Sequence, residues 1–201
     1  MRRVAPFDAR AYYYYYGGGA ARRRVSGGAI WIPSGTELFT DAAWNKVGVT
    51  VDANVAVAPD GTTTGDKIIE ADTTATHGAF QGVAMAAGVR TVQVYFKAGE
   101  RTHGAVSAVN PAGDRYAALF DLSTGAVVDT DTVGSPTGTS ETSSSFGNGW
   151  FLCAVTILAG AGDGFMQIGL SDTASPSWAN NLPTYDGDGV SGIFAWGGRT
   201  I

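Results

Sequence analysis

From about Leu38 onward, short apolar runs alternate with clusters of Gly, Asn, Asp, Ser and Pro. That spacing suits strands joined by tight turns. The clearest run is Thr91-Val-Gln-Val-Tyr-Phe-Lys97. Its period of two puts Val92, Val94 and Phe96 on one face and Gln93, Tyr95 and Lys97 on the other. Further strands are predicted over 47–57, 67–70, 79–85, 116–122, 126–129, 150–158, 164–170 and 190–196. In Ala58-Pro-Asp-Gly-Thr62, Pro59 presets φ and Gly61 can supply a positive φ, so the segment reads as a turn. The Ser-, Thr- and Gly-rich stretch 134–149 reads as a long surface loop, and 40–46 as one helical turn at most. No amphipathic helix of convincing length and no internal repeat interrupts this pattern. The expectation is an all-β domain of two antiparallel sheets. Candidates for its core are Trp44, Val92, Val94, Phe96, Phe120, Trp150, Leu152, Ile168, Phe194 and Trp196.

Residues 1–33 break the pattern. Tyr12, Tyr13, Tyr14, Tyr15 and Tyr16 follow one another without a gap, and then come Gly17 to Gly19 and Arg22, Arg23 and Arg24. Five successive tyrosines fit neither the helical nor the strand period, because every face would be aromatic. This segment reads as an extended N-terminal arm, with residues 34–201 forming the domain. Arg2, Arg3, Arg10, Arg22, Arg23 and Arg24 against Asp8 give the arm a net charge of +5, while the remainder carries −10. Tyrosine rings and arginine forks are favoured interface groups. The arm is therefore expected to anchor the chain to a partner and to order on docking. A nucleic-acid arm would carry more charge and less tyrosine, so no nucleic-acid partner is expected.

Composition narrows the chemistry. At 201 residues the chain suits one sizeable domain, and 29 glycines with 15% charged residues favour strands and turns over helices. The single Cys153 lies in an apolar run and reads as a small buried hydrophobe. No stretch reaches the apolar length of a membrane span, and Met-Arg-Arg leads into no signal-peptide core. Membrane insertion is not expected, and synthesis in a cytoplasm is. There is no Cys/His metal pattern, nucleophile elbow or phosphate loop, so neither a cofactor nor an enzyme is expected.

Candidate binding residues are few. Tyr95, with Gln93 and Lys97 beside it, is the best candidate for a shallow saccharide platform, since a ring flanked by polar groups can stack on a pyranose face. His103, Arg115 and Asp121 would line the same surface if their strands are neighbours. A solvated sheet face explains these residues as well. Asp186 and Asp188, two apart, have a spacing that can supply calcium oxygens, and an Asp-Gly hairpin turn accounts for them equally. His77 has no evident role, and Glu100 beside Arg101 reads as turn-forming charge.

Six phrases, taken in order, resemble the jelly-roll modules of phage tail-fibre, head-fibre and other virion proteins, which are described as carbohydrate-binding-module-like or concanavalin-like. They are Phe39-Thr-Asp-Ala-Ala-Trp44 with Val47-Gly-Val-Thr50, Ala58-Pro-Asp-Gly-Thr-Thr-Thr-Gly-Asp-Lys67, and Val94-Tyr-Phe-Lys-Ala-Gly-Glu-Arg-Thr102. After these come Phe120-Asp-Leu-Ser-Thr-Gly125, Gly147-Asn-Gly-Trp-Phe-Leu-Cys153 and Tyr185-Asp-Gly-Asp-Gly-Val-Ser-Gly-Ile-Phe-Ala-Trp-Gly197. The family commonly continues with Gly-Ala-Gln-Leu-Glu where this chain reads Gly198-Arg-Thr-Ile201, which suggests a domain at the end of its polypeptide. The resemblance implies a two-sheet antiparallel jelly-roll β-sandwich and a place in a virion assembled in the bacterial host cytoplasm. It also implies contact with other virion structural proteins through residues 1–33, and adhesion to host-surface glycans. It transfers no sugar site. The function expected is a non-enzymatic virion accessory protein such as a head fibre, decoration protein or tail-tip component. The alternatives are a polysaccharide-active enzyme and a purely structural, capsid-stabilising protein. Fibre proteins often form homo-oligomers, and one is expected in the particle although no heptad repeat marks it.

Overall fold

A computed structural model describes residues 38–201. The arm, its candidate anchoring residues and the boundary at residue 33 lie outside the described residues. Among the described residues fifteen strands run in chain order: β1 (Asn45–Val47), β2 (Val49–Ala56), β3 (Gly65–Glu70), β4 (Thr74–Thr76), β5 (Gly78–Met85), β6 (Gly88–Lys97), β7 (His103–Val109) and β8 (Arg115–Asp121). They continue as β9 (Val127–Val133), β10 (Ser140–Gly147), β11 (Trp150–Ala159), β12 (Gly162–Ser171), β13 (Ser177–Ala179), β14 (Leu182–Asp186) and β15 (Gly192–Thr200). Every pairing is antiparallel. The first sheet has the order β1-β5-β12-β7-β8-β9 and the second β10-β11-β6-β15-β3-β2, and β13-β14-β4 form a small third sheet. The domain is the all-β, two-sheet jelly-roll sandwich expected.

The period of two decides what lies between the sheets. Val92, Val94 and Phe96 of β6, Cys153, Val155 and Ile157 of β11, and Ile193 and Ala195 of β15 point inward from the second sheet. Val106 and Ala108 of β7, Tyr116, Ala118 and Phe120 of β8, and Met166, Ile168 and Leu170 of β12 meet them from the first. Trp44 and Phe39 close one end, their ring centroids 4.7 Å apart. At the other long edge the Tyr116 hydroxyl donates to Glu141 of β10 and so ties the two sheets together. Cys153 is fully buried as expected, and desolvation pushes its thiol far above the ordinary range.

Four core candidates face the other way. Leu152 pairs with Tyr95, Trp150 with Lys97, Phe194 with Lys97 and Trp196 with Tyr95, so all four project from the outer face of the second sheet. Trp150 and Trp196 are nevertheless buried, because the segment between β2 and β3 folds over them. Trp150 Nε1 donates to the Val57 carbonyl and Trp196 Nε1 to the Thr64 hydroxyl, each at 3.0 Å. Parity alone cannot distinguish an inner core from an outer face that a loop covers.

Three other expectations need correction. The predicted loop at 134–149 contains the edge strand β10, whose polar Ser-Glu-Thr-Ser-Ser-Ser sequence is exposed and gives no hydrophobic signal. Residues 40–46 form turns and the start of β1 rather than a helical turn. The small third sheet and β7, whose His-Gly-Ala-Val-Ser-Ala-Val reads as a weak strand, had not been anticipated.

Candidate functional site

The small sheet borders a cleft on the described surface. It packs on the outer face of the first sheet, where Leu182 sits against two glycines. A Cβ on Gly78 would lie 2.3 Å from the Ile168 carbonyl and 3.0 Å from Leu182, and one on Gly169 would lie 3.1 Å from Leu182. Only glycine lets the third layer approach this closely. A two-residue turn joins β13 to β14, with Asn180 and Asn181 both at positive φ, 54° and 60°. Asparagine tolerates that region better than most residues. The hairpin is pinned by Trp178 Nε1 donating to Asp129 (3.0 Å), Asn181 Nδ2 donating to Asp131 (3.1 Å) and Arg115 Nη1 donating to Asn180 Oδ1 (3.2 Å).

Beside the hairpin lies a cleft of about 430 Å³, within the roughly 300–1,000 Å³ usual for small-ligand sites. Its floor is the outer face of β5, β12, β7 and β8. Cross-strand pairing places Phe80 opposite Gln167, and Phe165 in one row with Val109 and Arg115. Phe165 is 41% exposed, and Phe80 meets it edge-on at 5.9 Å. Gln167 is almost fully buried; its Oε1 accepts from the Ser107 hydroxyl (3.0 Å), and its NH2 has no partner among the described residues. Arg115 uses Nη1 on Asn180, while its Nε is buried without a partner among the described residues. Val47, Leu182 and Pro111 add apolar wall, and Asp163 is exposed at the margin. An accessible ring, fixed amide and guanidinium donors and a marginal carboxylate together can hold a sugar-sized, hydroxyl-bearing ligand.

The six glycan candidates do not share a surface. Gln93, Tyr95 and Lys97 lie on β6 of the second sheet, whereas His103, Arg115 and Asp121 lie on β7 and β8 of the first. Tyr95 does face away from the core, but it is only 1% exposed. Trp196 and Phe146 cover its ring at 5.3 and 5.0 Å, and burial pushes its hydroxyl pKa up. A pyranose has no open face there to stack on. Gln93 is buried beside it, against the Arg199 guanidinium. Lys97 is half-buried on the same face. His103 and Asp121 are cross-strand partners at the opposite end of β8 from Arg115. The Asp121 carboxyl accepts from the Ser123 hydroxyl and amide and from Thr124, and these bonds hold it below the ordinary carboxylate range. It organises a turn. Of the six, Arg115 alone lines the cleft.

The acidic pair near the C-terminus also has other work. Asp188 accepts from the Ser191 hydroxyl and from the Ser191 and Val190 amides, which drive its pKa far down, with Arg101 nearby. Asp186 accepts from Thr74. No group of three or more His, Cys, Asp or Glu side chains placed to hold a metal forms among the described residues, and Asp188 organises the bend at 189–190 that leads into β15. Glu70, fully buried, accepts from the Arg101 fork, the Tyr185 hydroxyl and the Asp188 amide, and so fastens β14 to the sandwich. His77 is buried with Nδ1 against the Gly48 carbonyl (2.6 Å) and Nε2 against that of Tyr185 (3.2 Å), a staple between β1 and the small sheet.

Phe80, Phe165, Gln167, Asp163 and Asn180 were not among the sequence candidates. One signal was available: in Gly-Phe-Met-Gln-Ile-Gly-Leu170, alternation puts Met166, Ile168 and Leu170 inward, leaving Phe165 and Gln167 side by side outside.

No protein-family model matches the chain, and no curated protein matches it. Solved structures to which the chain is similar include the following three. The first, CBM35 from Cellvibrio japonicus Abf62, is 17% identical over 82% of this chain and 94% of that one, with a TM-score of 0.39. The Xyl-CBM35 solved in complex with a glucuronic acid-containing disaccharide is also 17% identical, over 82% and 94%, with a TM-score of 0.37. The enzymatically active domain of bacteriophage CBA120 tailspike protein 4 is 15% identical over 84% of this chain and 21% of that one, with a TM-score of 0.44. At these values no ligand, partner or activity is carried over. The sandwich is established by the chain's own sheets.

Proposed function

We propose that this chain is a non-enzymatic saccharide-binding module that serves as an accessory protein of a tailed-phage virion. In this reading the cleft between the first sheet and the small sheet is the sugar site, and residues 1–33 are the anchor to other virion proteins. The observation that carries the reading is the exposed Phe165 ring set beside Gln167 and Arg115 in a cleft of ligand size. Aromatic rings offer sugars an apolar face, and a few fixed polar groups select the orientation. The non-enzymatic assignment is supported by the lining, in which Asp163 is the one carboxylate among the described residues, whereas most glycoside hydrolases place two across the scissile bond. The virion assignment rests on the six sequence phrases and on the basic, tyrosine-rich arm.

A glycan array probed with the parent chain and with Phe165→Ala tests the sugar site. The parent is expected to retain a defined set of saccharides, and the variant to lose most of that signal while keeping its melting temperature. Equal retention by both proteins would move the site elsewhere on the sandwich.

A further inference from the structure

The polar groups of the cleft are unevenly divided between donors and acceptors. Gln167 has its carbonyl occupied by the Ser107 hydroxyl, so its free end is the NH2, a donor only. Arg115 has no acceptor at all. Asn110 is used up: its Oδ1 takes the Ala112 and Asp114 amides, and its Nδ2 is spent on Asp114 and the Leu158 carbonyl. Asp163, at the margin, is the acceptor carboxylate. The apolar lining is also placed unevenly. Phe80 stands directly across the β5–β12 ladder from Gln167, with Val47 and Leu182 lining the same cleft. Directly paired side chains start about 5 Å apart. A donor that cannot accept therefore lies within one group's length of an apolar surface.

A ring hydroxyl fits this pairing poorly, because it would turn a polar group towards Phe80. An acetamido group fits both halves, since its carbonyl accepts from the Gln167 NH2 while its methyl covers Phe80. A carboxylate would gain from Arg115, but it would have to enter an acidic body, of net charge −10 over residues 34–201, past Asp163. We propose that the cleft selects N-acetylated hexosamines: the acetamido carbonyl is held by Gln167 Nε2, its methyl packs on Phe80, and the sugar ring lies on Phe165. Arg115, two strands across the sheet from Gln167 and two residues along, and so roughly 12 Å away, holds a hydroxyl of the same or the adjoining residue. This specificity rests on the cleft being the saccharide site, and the experiment separates the two claims.

Calorimetry on the full chain compares matched oligosaccharides that end in N-acetylglucosamine or glucose and in N-acetylgalactosamine or galactose, with a glucuronate-ended oligomer as the acidic arm. The expected result is that one N-acetylated member binds about tenfold or more tightly than its hydroxyl counterpart. That is the size of one net hydrogen bond plus a buried methyl. Gln167→Glu keeps the acceptor for Ser107 but replaces the NH2 with an oxygen. It is expected to erase the N-acetyl preference, and because it sets a carboxylate at an almost fully buried position it is also expected to lower the melting temperature, so binding is compared at a temperature where the variant remains folded. Phe165→Ala is expected to weaken both members of the pair. The specificity is overturned if hydroxyl and N-acetylated sugars bind equally, if the glucuronate oligomer is preferred, or if Gln167→Glu retains the preference. In those cases a Phe165→Ala effect still upholds the saccharide site. If no sugar binds, or if Phe165→Ala changes nothing, the site itself falls and the specificity with it.

Discussion

Replacing Arg101 with Met tests the reasoning about how the small sheet is held. Glu70 lies at the end of β3 with its side chain 0% exposed, and Arg101 reaches it with a side chain 20% exposed. The carboxylate receives Arg101 Nε at 2.8 Å and Nη2, the Tyr185 hydroxyl at 2.6 Å and the Asp188 amide at 2.9 Å. Those four donors match the roughly four lone-pair sites of a carboxylate. Arg101→Met keeps much of the apolar stem but leaves a buried anion with two neutral donors. Breaking a buried pair in this way costs about 3–5 kcal/mol. The two donors that remain place the expectation at the lower end, about 3 kcal/mol. For a chain of this size the melting temperature should then fall by roughly 6–12 °C. Glu70→Gln should cost less, because the partly exposed guanidinium left behind can be hydrated. The exposed contact from Arg101 to Asp188 at 3.4 Å should contribute little. Chemical denaturation of both single variants and the double variant gives the coupling directly. If Arg101→Met lowers stability by less than about 1 kcal/mol, the account of this cluster as the fastening of β14 is wrong.

Other consequences follow from the same geometry. Phe120→Ala, in the inter-sheet core, should destabilise by about 3–5 kcal/mol, whereas Phe165→Ala, on the open floor of the cleft, should stay within roughly 0.5 kcal/mol; urea denaturation compares them. Tyr116, through burial and its bond to Glu141, has its pKa pushed up to about 12. Its contribution to stability should therefore be complete below the unfolded value of about 10 and be lost as pH rises towards about 12. Tyr116→Phe should remove that alkaline loss, as read by unfolding at neutral and alkaline pH. A chain shortened to begin at Ser34 should keep its melting temperature yet fail to decorate particles that lack the protein. Equal decoration by the shortened chain would place attachment on the sandwich.

What could be read from the sequence depended on whether a residue's role followed from its own strand. Val92, Val94 and Phe96 were legible because a run of seven alternates cleanly and the opposite sheet needs that face. Trp150 and Trp196 looked identical to core residues, since only the fold of the distant 57–64 segment makes their outer face a buried one. Tyr95 failed as a platform for the same reason: its polar neighbours suggested solvent, but Trp196 and Phe146 cover it. β10 has no apolar face and so no hydrophobic period to detect. Arg115 was found on β8, yet its companions Phe80, Phe165 and Gln167 come from strands that become neighbours only through non-local pairing. The cleft wall needs the hairpin at Asn180 and Asn181 to fold back over Gly169 and over Gly78, which lies far away in the sequence.

The most direct test of the central claim is a map of amide chemical-shift changes as an N-acetylglucosamine oligomer is titrated into the isotopically labelled chain. The account predicts saturable shifts that cluster on Phe80, Arg115, Phe165, Gln167, Asn180 and Leu182, with the second sheet unmoved. Shifts centred on Tyr95, Lys97 and Phe194, or none at saturating sugar, would contradict it.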